Sequence, residues 1–151
     1  MKVRNIMSRF PNCCTELDSV QKAAQLMKEY GVGAVPVVTD HDTRTLVGIV
    51  TDRDLCIRVL AENPPFIAAT VSDVMTWKPV TCRADDPLEV CELMMQHQQL
   101  RRLPVVDEQG ALIGMVSQAD VLIHDNAEHG HRLLRAISRP CRPLADDDLD
   151  D

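Results

Sequence analysis

The sequence predicts an α/β fold, of the α+β type, in which two tandem copies of one β-α-β-β-α unit pack sheet to sheet with pseudo-twofold symmetry, followed by a C-terminal helix. An internal repeat, the same succession of helical and strand patterns in each copy, and an aliphatic composition support this prediction. Of the 151 residues, 45% are hydrophobic but only 3% are aromatic. We therefore expect a core of Val, Leu, Ile, Met and Ala side chains.

The repeat is visible when the sequence is compared with itself. At an offset of 68 residues, one set of residues falls on the same residue types in the second copy: Val3, Met7, Pro11, Cys14, Asp18 and Met27 on Val71, Met75, Pro79, Cys82, Asp86 and Met95. After two extra residues in the loop at 42–45, the offset becomes 66, and Leu46, Gly48, Val50 and Asp54 match Leu112, Gly114, Val116 and Asp120. A unit of this size cannot bury both faces of its own sheet, so we expect a cleft where the two copies meet.

Each copy has the same order of predicted elements. Apolar residues at helical spacing follow Asp18-Ser19 and Asp86-Pro87, which are typical of helix starts. Two β-rich runs follow in each copy, at 35–38 and 46–50 and at 103–106 and 112–116. A second helix is predicted at 52–60 and at 118–124. The segments 3–7 and 71–75 are predicted to be helical turns that brace the opposite copy.

These patterns divide the chain into five parts. The first copy spans 1–62, a Pro-containing linker spans 63–70, and the second copy spans 71–126. The predicted C-terminal helix, 127–139, has Leu133, Leu134 and Ile137 on one stripe, which we expect to pack on the protein or across a dimer. Residues 140–151 form an acidic segment that is expected to be disordered.

Charge and apolar patterning exclude two classes of partner. Sixteen basic and twenty-three acidic residues give a net charge of -7. The aromatic residues are too few to form a surface on which nucleic-acid bases stack. Nucleic acid is therefore not the leading partner. The most apolar run, 31–38, is too short to span a membrane, and the first residues lack a signal-peptide pattern. We expect a cytoplasmic protein with reduced, packed cysteines and no membrane partner.

The end of the second strand carries the same motif in both copies. Residues 48–54 read Gly-Ile-Val-Thr-Asp-Arg-Asp, and residues 114–120 read Gly-Met-Val-Ser-Gln-Ala-Asp. A hydroxyl residue followed three positions later by Asp is the pattern of a capping box at a helix start. The same Asp could instead bind the two hydroxyls of a ribose, beside helix amides that suit a phosphate. The spacing leaves both interpretations open, while the motif glycine favours close approach of a flat ligand.

The duplicated unit, with its Pro-Val-Val strand and its Gly-x-x-Ser/Thr-x-x-Asp ending, resembles a pair of cystathionine β-synthase (CBS) domains over residues 1 to 125. The chain resembles the stand-alone bacterial CBS-pair proteins of the hypoxic-response type. The resemblance implies a cleft for adenosine-containing ligands such as AMP, ADP or ATP, with S-adenosylmethionine less favoured. It also implies a homodimer in the form of a flat disc of four repeats. We expect that no cofactor is required.

The resemblance assigns roles to individual residues. Asp54 and Asp120 would hold ribose hydroxyls, with Thr51 and Ser117 at the adjoining corners. Cations for phosphate would be Arg101, Arg102 and Arg53. Apolar surface and strand backbone against the adenine would come from Val35, Val37, Leu103 and Val105.

The two sites differ in sequence. The second copy has Arg101 and Arg102 where the first has Gly33 and Ala34. Conversely, the first copy has Asp-Arg at 52–53 where the second has Gln-Ala at 118–119. A site without cations compensates a polyphosphate poorly. We therefore expect one strong site and one that is weak or empty.

No catalytic motif is present, so we predict no enzyme activity. The sequence instead indicates a regulatory module that senses adenine nucleotides and signals in trans to an unknown protein partner. A non-nucleotide-binding structural or interaction protein is the main alternative, since the motif could be only a capping box. A redox-responsive dimer using Cys13, or a metal-responsive dimer using His124, His129 and His131, is a less favoured alternative.

Overall fold

A computed structural model describes residues 1–61, 69–124 and 127–138, with side chains from Gly130 onward in the last range. The strands are β1 (Ser8–Arg9), β2 (Cys14–Thr15), β3 (Ala34–Val38), β4 (Leu46–Thr51), β5 (Thr76–Trp77), β6 (Cys82–Arg83), β7 (Arg102–Val106) and β8 (Leu112–Ser117). The helices are a 3-10 turn (Val3–Asn5), α1 (Val20–Tyr30), α2 (Asp52–Asp54, continued by a π-helix at Leu55–Leu60), α3 (Val71–Val74), α4 (Leu88–Gln98), α5 (Gln118–His124) and α6 (Ala127–Ile137).

Two four-stranded sheets confirm the predicted duplicated α/β architecture. Their orders are β2-β3-β4-β5 and β1-β8-β7-β6. In each sheet a central antiparallel hairpin is joined by one parallel strand on one side and one antiparallel strand on the other. The antiparallel edge strand comes from the segment in front of the opposite copy, because β1 pairs with β8 and β5 pairs with β4.

The helical turns before each copy follow the same exchange. Val3 and Ile6 are buried in the core of the second copy, whereas Val71, Val74 and Met75 are buried in the core of the first. This confirms the expectation that these segments brace the opposite halves. Each core is therefore complete only when both halves are folded together.

The motif glycines make room for the bracing methionines. A Cβ atom on Gly114 would lie 2.7 Å from Met7 Sδ and 3.0 Å from the Ser8 carbonyl oxygen. A Cβ atom on Gly48 would contact Met75 Sδ in the same way. We call residues 3–9 and 71–77 the exchanged segments. Their close packing explains the glycine of each motif, which the sequence pattern had connected with a flat ligand.

The second helix of the first copy differs from its prediction as a regular helix at 52–60. After one α-helical turn it continues as a π-helix, Leu55–Leu60, in which the Ala61 amide bonds the Cys56 carbonyl at 3.0 Å. The corresponding helix of the second copy, α5, is α-helical. Because a π-helix is wider than an α-helix, it changes where the side chains of this segment point.

The C-terminal helix α6 packs on the second copy. Leu133 and Ile137 are buried in its core, and a Cβ atom on Gly130 would lie 2.6 Å from Leu122 Cδ2, so this glycine allows a close approach to α5. The acidic segment 140–151 and most of the linker 63–70 lie outside the described residues. Within the described ranges, no helix is long and apolar enough to cross a membrane.

The cysteines of the described residues are unpaired, and most are buried. Cys13, Cys14, Cys82 and Cys91 are buried, whereas Cys56 is exposed. Burial raises the pKa of the Cys13 thiol, and it raises the pKa of Cys14 to about 11. Since the thiolate is the reactive form, both thiols are protonated and unreactive near neutral pH.

We predict that Gly114→Ala lowers the free energy of unfolding by about 1–3 kcal/mol, because the new methyl group overpacks against Met7 and the Ser8 backbone. Gly48→Ala is the matched control and should cost less, since only the flexible Met75 side chain has to move. Urea denaturation of both variants measures the difference. Unchanged stability of Gly114→Ala would contradict the role given to the exchanged segment.

We predict that a thiol-alkylating reagent modifies Cys56 well before Cys13 or Cys14, since the latter are buried and their pKa values are raised. Timed alkylation followed by peptide mass mapping measures the order, and labelling of the unfolded chain is the control. Preferential modification of Cys13 in the folded protein would instead support the redox-sensing alternative.

Candidate functional site

The candidate residues gather at one end of the two sheets. At this end Ala34 pairs with Thr51 and Arg102 pairs with Ser117. The opposite end is closed by a bridge between Thr45 and Ala111 and by backbone hydrogen bonds from Leu46 to Gly110 (3.1 Å) and from Leu112 to Arg44 (2.8 Å). A polar ligand therefore finds hydroxyl, carboxylate and guanidinium groups at the end that carries Thr51 and Ser117.

Both motifs form capping boxes of nearly identical geometry. Asp54 Oδ2 accepts from the Thr51 amide at 2.9 Å and from the Thr51 hydroxyl at 2.8 Å, while Thr51 Oγ1 accepts from the Asp54 amide at 3.1 Å. In the second copy, Asp120 Oδ2 accepts from the Ser117 amide at 2.8 Å and its hydroxyl at 2.7 Å, and Ser117 Oγ accepts from the Asp120 amide at 3.3 Å. The capping-box interpretation is confirmed.

The capping box uses only one oxygen of each carboxylate, so it does not exclude a ligand. Asp54 Oδ1 lies 3.7 Å from Arg58 Nε. Asp120 Oδ1 has no hydrogen-bond or ion-pair partner within the described part of the chain. Each Asp is half-buried and held in place by the box. The second oxygen is therefore oriented in advance for a further donor.

Arg102 reaches from the second copy onto the first. Its Nη1 lies 3.4 Å from the point that a Cβ atom on Gly33 would occupy, and Asp52 Oδ2 lies 2.8 Å from the same point. A side chain at position 33 would displace both groups, which explains why the first copy lacks a counterpart of Arg101 at this position. Arg101 and Arg53 have exposed side chains, and the Arg101 carbonyl accepts from the Gln118 amide at 2.9 Å.

The four apolar residues of the candidate site lie inside the cores. Val35 and Val37 pack in the first core, and Leu103 and Val105 pack in the second. All four side chains are almost fully buried. Any surface that β3 and β7 present to a ligand is therefore formed by their backbone and by neighbouring side chains.

Sequence analysis missed a polar atom at the second corner. Gln118 Oε1 is buried and has no hydrogen-bond partner among the described residues. A buried acceptor without a donor is costly, so it needs a water or a ligand group. Its counterpart in the first copy, Asp52, accepts a hydrogen bond from the Arg53 amide at 2.8 Å. The sequence difference that could have indicated this atom is the change from the charged Asp52 in the first copy to the neutral Gln118 in the second.

The described residues of the redox and metal alternatives do not form one cluster. Cys13 Sγ lies 3.7 Å from His41 Nδ1, and His124 Nδ1 lies 2.9 Å from the carbonyl oxygen of Asp120. His131 is exposed, and the side chain of His129 lies outside the described residues. Within the described ranges, no three His, Cys, Asp or Glu side chains form a group that could hold a metal ion.

Two bacterial relatives are similar over most of their length. The uncharacterized protein YlbB of Bacillus subtilis is 44% identical over 125 residues, covering 82% of each chain. Hypoxic response protein 1 of Mycobacterium tuberculosis is 31% identical over 142 residues, covering 94% of this chain and 95% of that protein.

Solved structures show the same fold. Hypoxic Response Protein I, with two coordinated zinc ions, has a TM-score of 0.74 and 32% identity, covering 83% of this chain and 100% of that chain. CBSX2 from Arabidopsis thaliana, in complex with AMP, has a TM-score of 0.71 and 32% identity, covering 81% and 93%. The CBS domain pair of protein MJ0100, with 5'-methylthioadenosine and S-adenosyl-L-methionine, has a TM-score of 0.71 and 27% identity, covering 80% and 92%.

The family comparison covers both copies. The model of the CBS domain matches residues 3–61 and 71–126. These matches coincide with the two sets of elements whose sheets exchange edge strands. With more than half of its length matched, this chain belongs to the CBS domain family, as a tandem CBS pair.

Proposed function

We propose that this protein is a regulatory module that binds an adenosine nucleotide at the end of the sheets where Thr51, Asp54, Ser117 and Asp120 lie. AMP, ADP and ATP are the favoured ligands, and S-adenosylmethionine is less favoured. The observation that carries the proposal is Asp120 Oδ1, the carboxylate oxygen that the capping box does not use and that has no partner among the described residues.

A ribose suits this oxygen chemically. Its two neighbouring hydroxyls are donors, and a hydrogen bond to an ionised acceptor is stronger than one between neutral groups. The capping box already holds the carboxylate, so little side-chain freedom is lost when the sugar binds. Ser117 fixes Asp120 from the adjoining corner, as Thr51 fixes Asp54.

Polar groups nearby suit the rest of a nucleotide. Arg102 lies where the two copies meet, and the exposed Arg101 and Arg53 are two further cations for phosphate oxygens. The buried Gln118 Oε1 is an acceptor with no donor among the described residues. The amino group of adenine or a water molecule would supply that donor. The strand backbones of β3 and β7 would line the adenine.

The family comparison supports the same class of ligand. The similar structures include one protein in complex with AMP and one CBS pair in complex with 5'-methylthioadenosine and S-adenosyl-L-methionine. These share 32% and 27% identity with this chain. All three ligands contain adenosine, which is the part that the ribose-binding carboxylate would recognise.

Signalling would follow from the exchange of segments between the copies. Because each sheet carries an edge strand from the opposite half, a ligand that contacts both copies favours one relative arrangement of them. We propose that a homodimer in the cytoplasm presents this arrangement to a protein partner, without catalysis by the module itself. A structural or interaction protein is the second candidate, since the capping boxes by themselves account for the repeated motif.

Calorimetric titration with AMP, ATP and S-adenosylmethionine tests the proposal. We expect AMP to bind and to raise the midpoint of thermal unfolding, and Asp120→Asn to weaken binding at least roughly tenfold.

Asp73→Asn is the matched control, because Asp73 forms the same kind of capping box with Thr70, at 2.8 Å from the amide and 2.9 Å from the hydroxyl, at the start of α3. It should lose a similar amount of stability but bind AMP as the unaltered protein does. No binding of any adenosine ligand at millimolar concentration would favour the interaction protein instead.

A further inference from the structure

We infer that the two corners are not equivalent: Arg58 forms an ion pair with the second carboxylate oxygen of Asp54, so that nucleotide binds at the Asp120 corner alone. The inference rests on the proposed function and specifies which of the two related sites performs it. It follows from contacts that differ between the copies at the same position of the repeat.

Arg58 is held in place from two sides. Its Nη1 donates to the carbonyl oxygens of Val74 at 2.8 Å and Met75 at 3.1 Å, at the end of α3. These bonds keep its Nε 3.7 Å from Asp54 Oδ1. A ribose at this corner would have to displace the cation from the carboxylate and put neutral hydroxyl groups in its place, which gives up the Coulomb attraction of the ion pair.

Arg58 lies four residues after Asp54, a spacing that places both side chains on the same face of the helix. It lies in the π-helix Leu55–Leu60, which directly follows the capping box of Asp54. The carbonyl groups that hold it belong to the exchanged segment, in which Met75 also covers Gly48. The first corner is therefore closed by the same segment that completes the first core.

The second copy lacks this arrangement. At the offset of 66 residues, His124 stands where Arg58 stands in the first copy. Its Nδ1 lies 2.9 Å from the backbone carbonyl of Asp120, one turn back in the same α-helix. The shorter side chain is thus engaged by its own helix, and Asp120 Oδ1 stays without a partner in the described residues.

A second difference points the same way. Among the described residues, the one buried acceptor without a donor, Gln118 Oε1, lies at the second corner, whereas at the first corner Asp52 is exposed and its Oδ1 accepts from the Arg53 amide. The second corner therefore has two acceptors that a ligand or water can satisfy. At the first corner, Asp52 Oδ1 accepts from the Arg53 amide and Asp54 Oδ1 forms an ion pair with Arg58.

The stoichiometry of AMP binding by the full chain tests the inference. Calorimetry should give a single AMP per chain for the unaltered protein and for Asp54→Asn, whereas Asp120→Asn should lose this binding. Two equal sites, or a single site that is lost in Asp54→Asn but kept in Asp120→Asn, would overturn the inference and leave nucleotide binding intact.

Exchanging the residue types at positions 58 and 124 tests whether Arg58 is what prevents binding at the first corner. Arg58→His should create a second AMP site, and His124→Arg should weaken the existing one roughly tenfold. Arg83→His, an exposed position on β6, controls for the change in charge. Arg58→Met replaces Arg58→His if that variant unfolds at the assay temperature.

A single site in both Arg58 variants would contradict the inference. Absence of AMP binding in the unaltered protein and in every variant would overturn the proposed function and, with it, the inference.

Discussion

The exchange of short segments between the two copies is the constraint on which the rest of the structure depends. Val3 and Ile6 fill the second core, and Val71 and Val74 fill the first. The edge strands β1 and β5 continue the same exchange into the sheets. The sheets are therefore held in one relative position, which brings the ends of β4 and β8 to the same end of the molecule. A site that needs groups from both copies depends on this position.

The capping box then gives each corner both a structural and a chemical role. One carboxylate oxygen satisfies the helix start, and the other remains for a further donor. At Asp54 the second oxygen forms an ion pair with Arg58, whose guanidinium donates to the carbonyls of the exchanged segment. At Asp120 the oxygen is without a partner in the described residues. The same local sequence pattern therefore has different chemistry in the two copies, because a residue four positions further along differs.

Much of this could be predicted from the sequence, because it depends on local patterns and on the repeat. The helix starts, the hairpins, the capping boxes of Thr51 and Ser117 and the bracing segments all follow from spacing or from comparison of the copies. The Arg58–Asp54 ion pair has the i, i+4 spacing of a regular helix, but the bonds of Arg58 to the Val74 and Met75 carbonyls could not be predicted, since they depend on how the exchanged segment packs. The position of Arg102 beside Gly33 depends on how the copies pack. The family resemblance placed Val35 and Leu103 against the adenine, but their side chains are buried in the two cores, since the layer that a strand's side chains face depends on how the copies pack.

An experimental structure of the full chain with AMP tests the central claim most directly. The account predicts one nucleotide per chain, with its ribose hydroxyls within hydrogen-bond distance of Asp120 Oδ1 and with Arg58 still bound to the carbonyls of Val74 and Met75. A nucleotide whose ribose lies at Asp54 with Arg58 displaced, or one that contacts neither Asp, would contradict it.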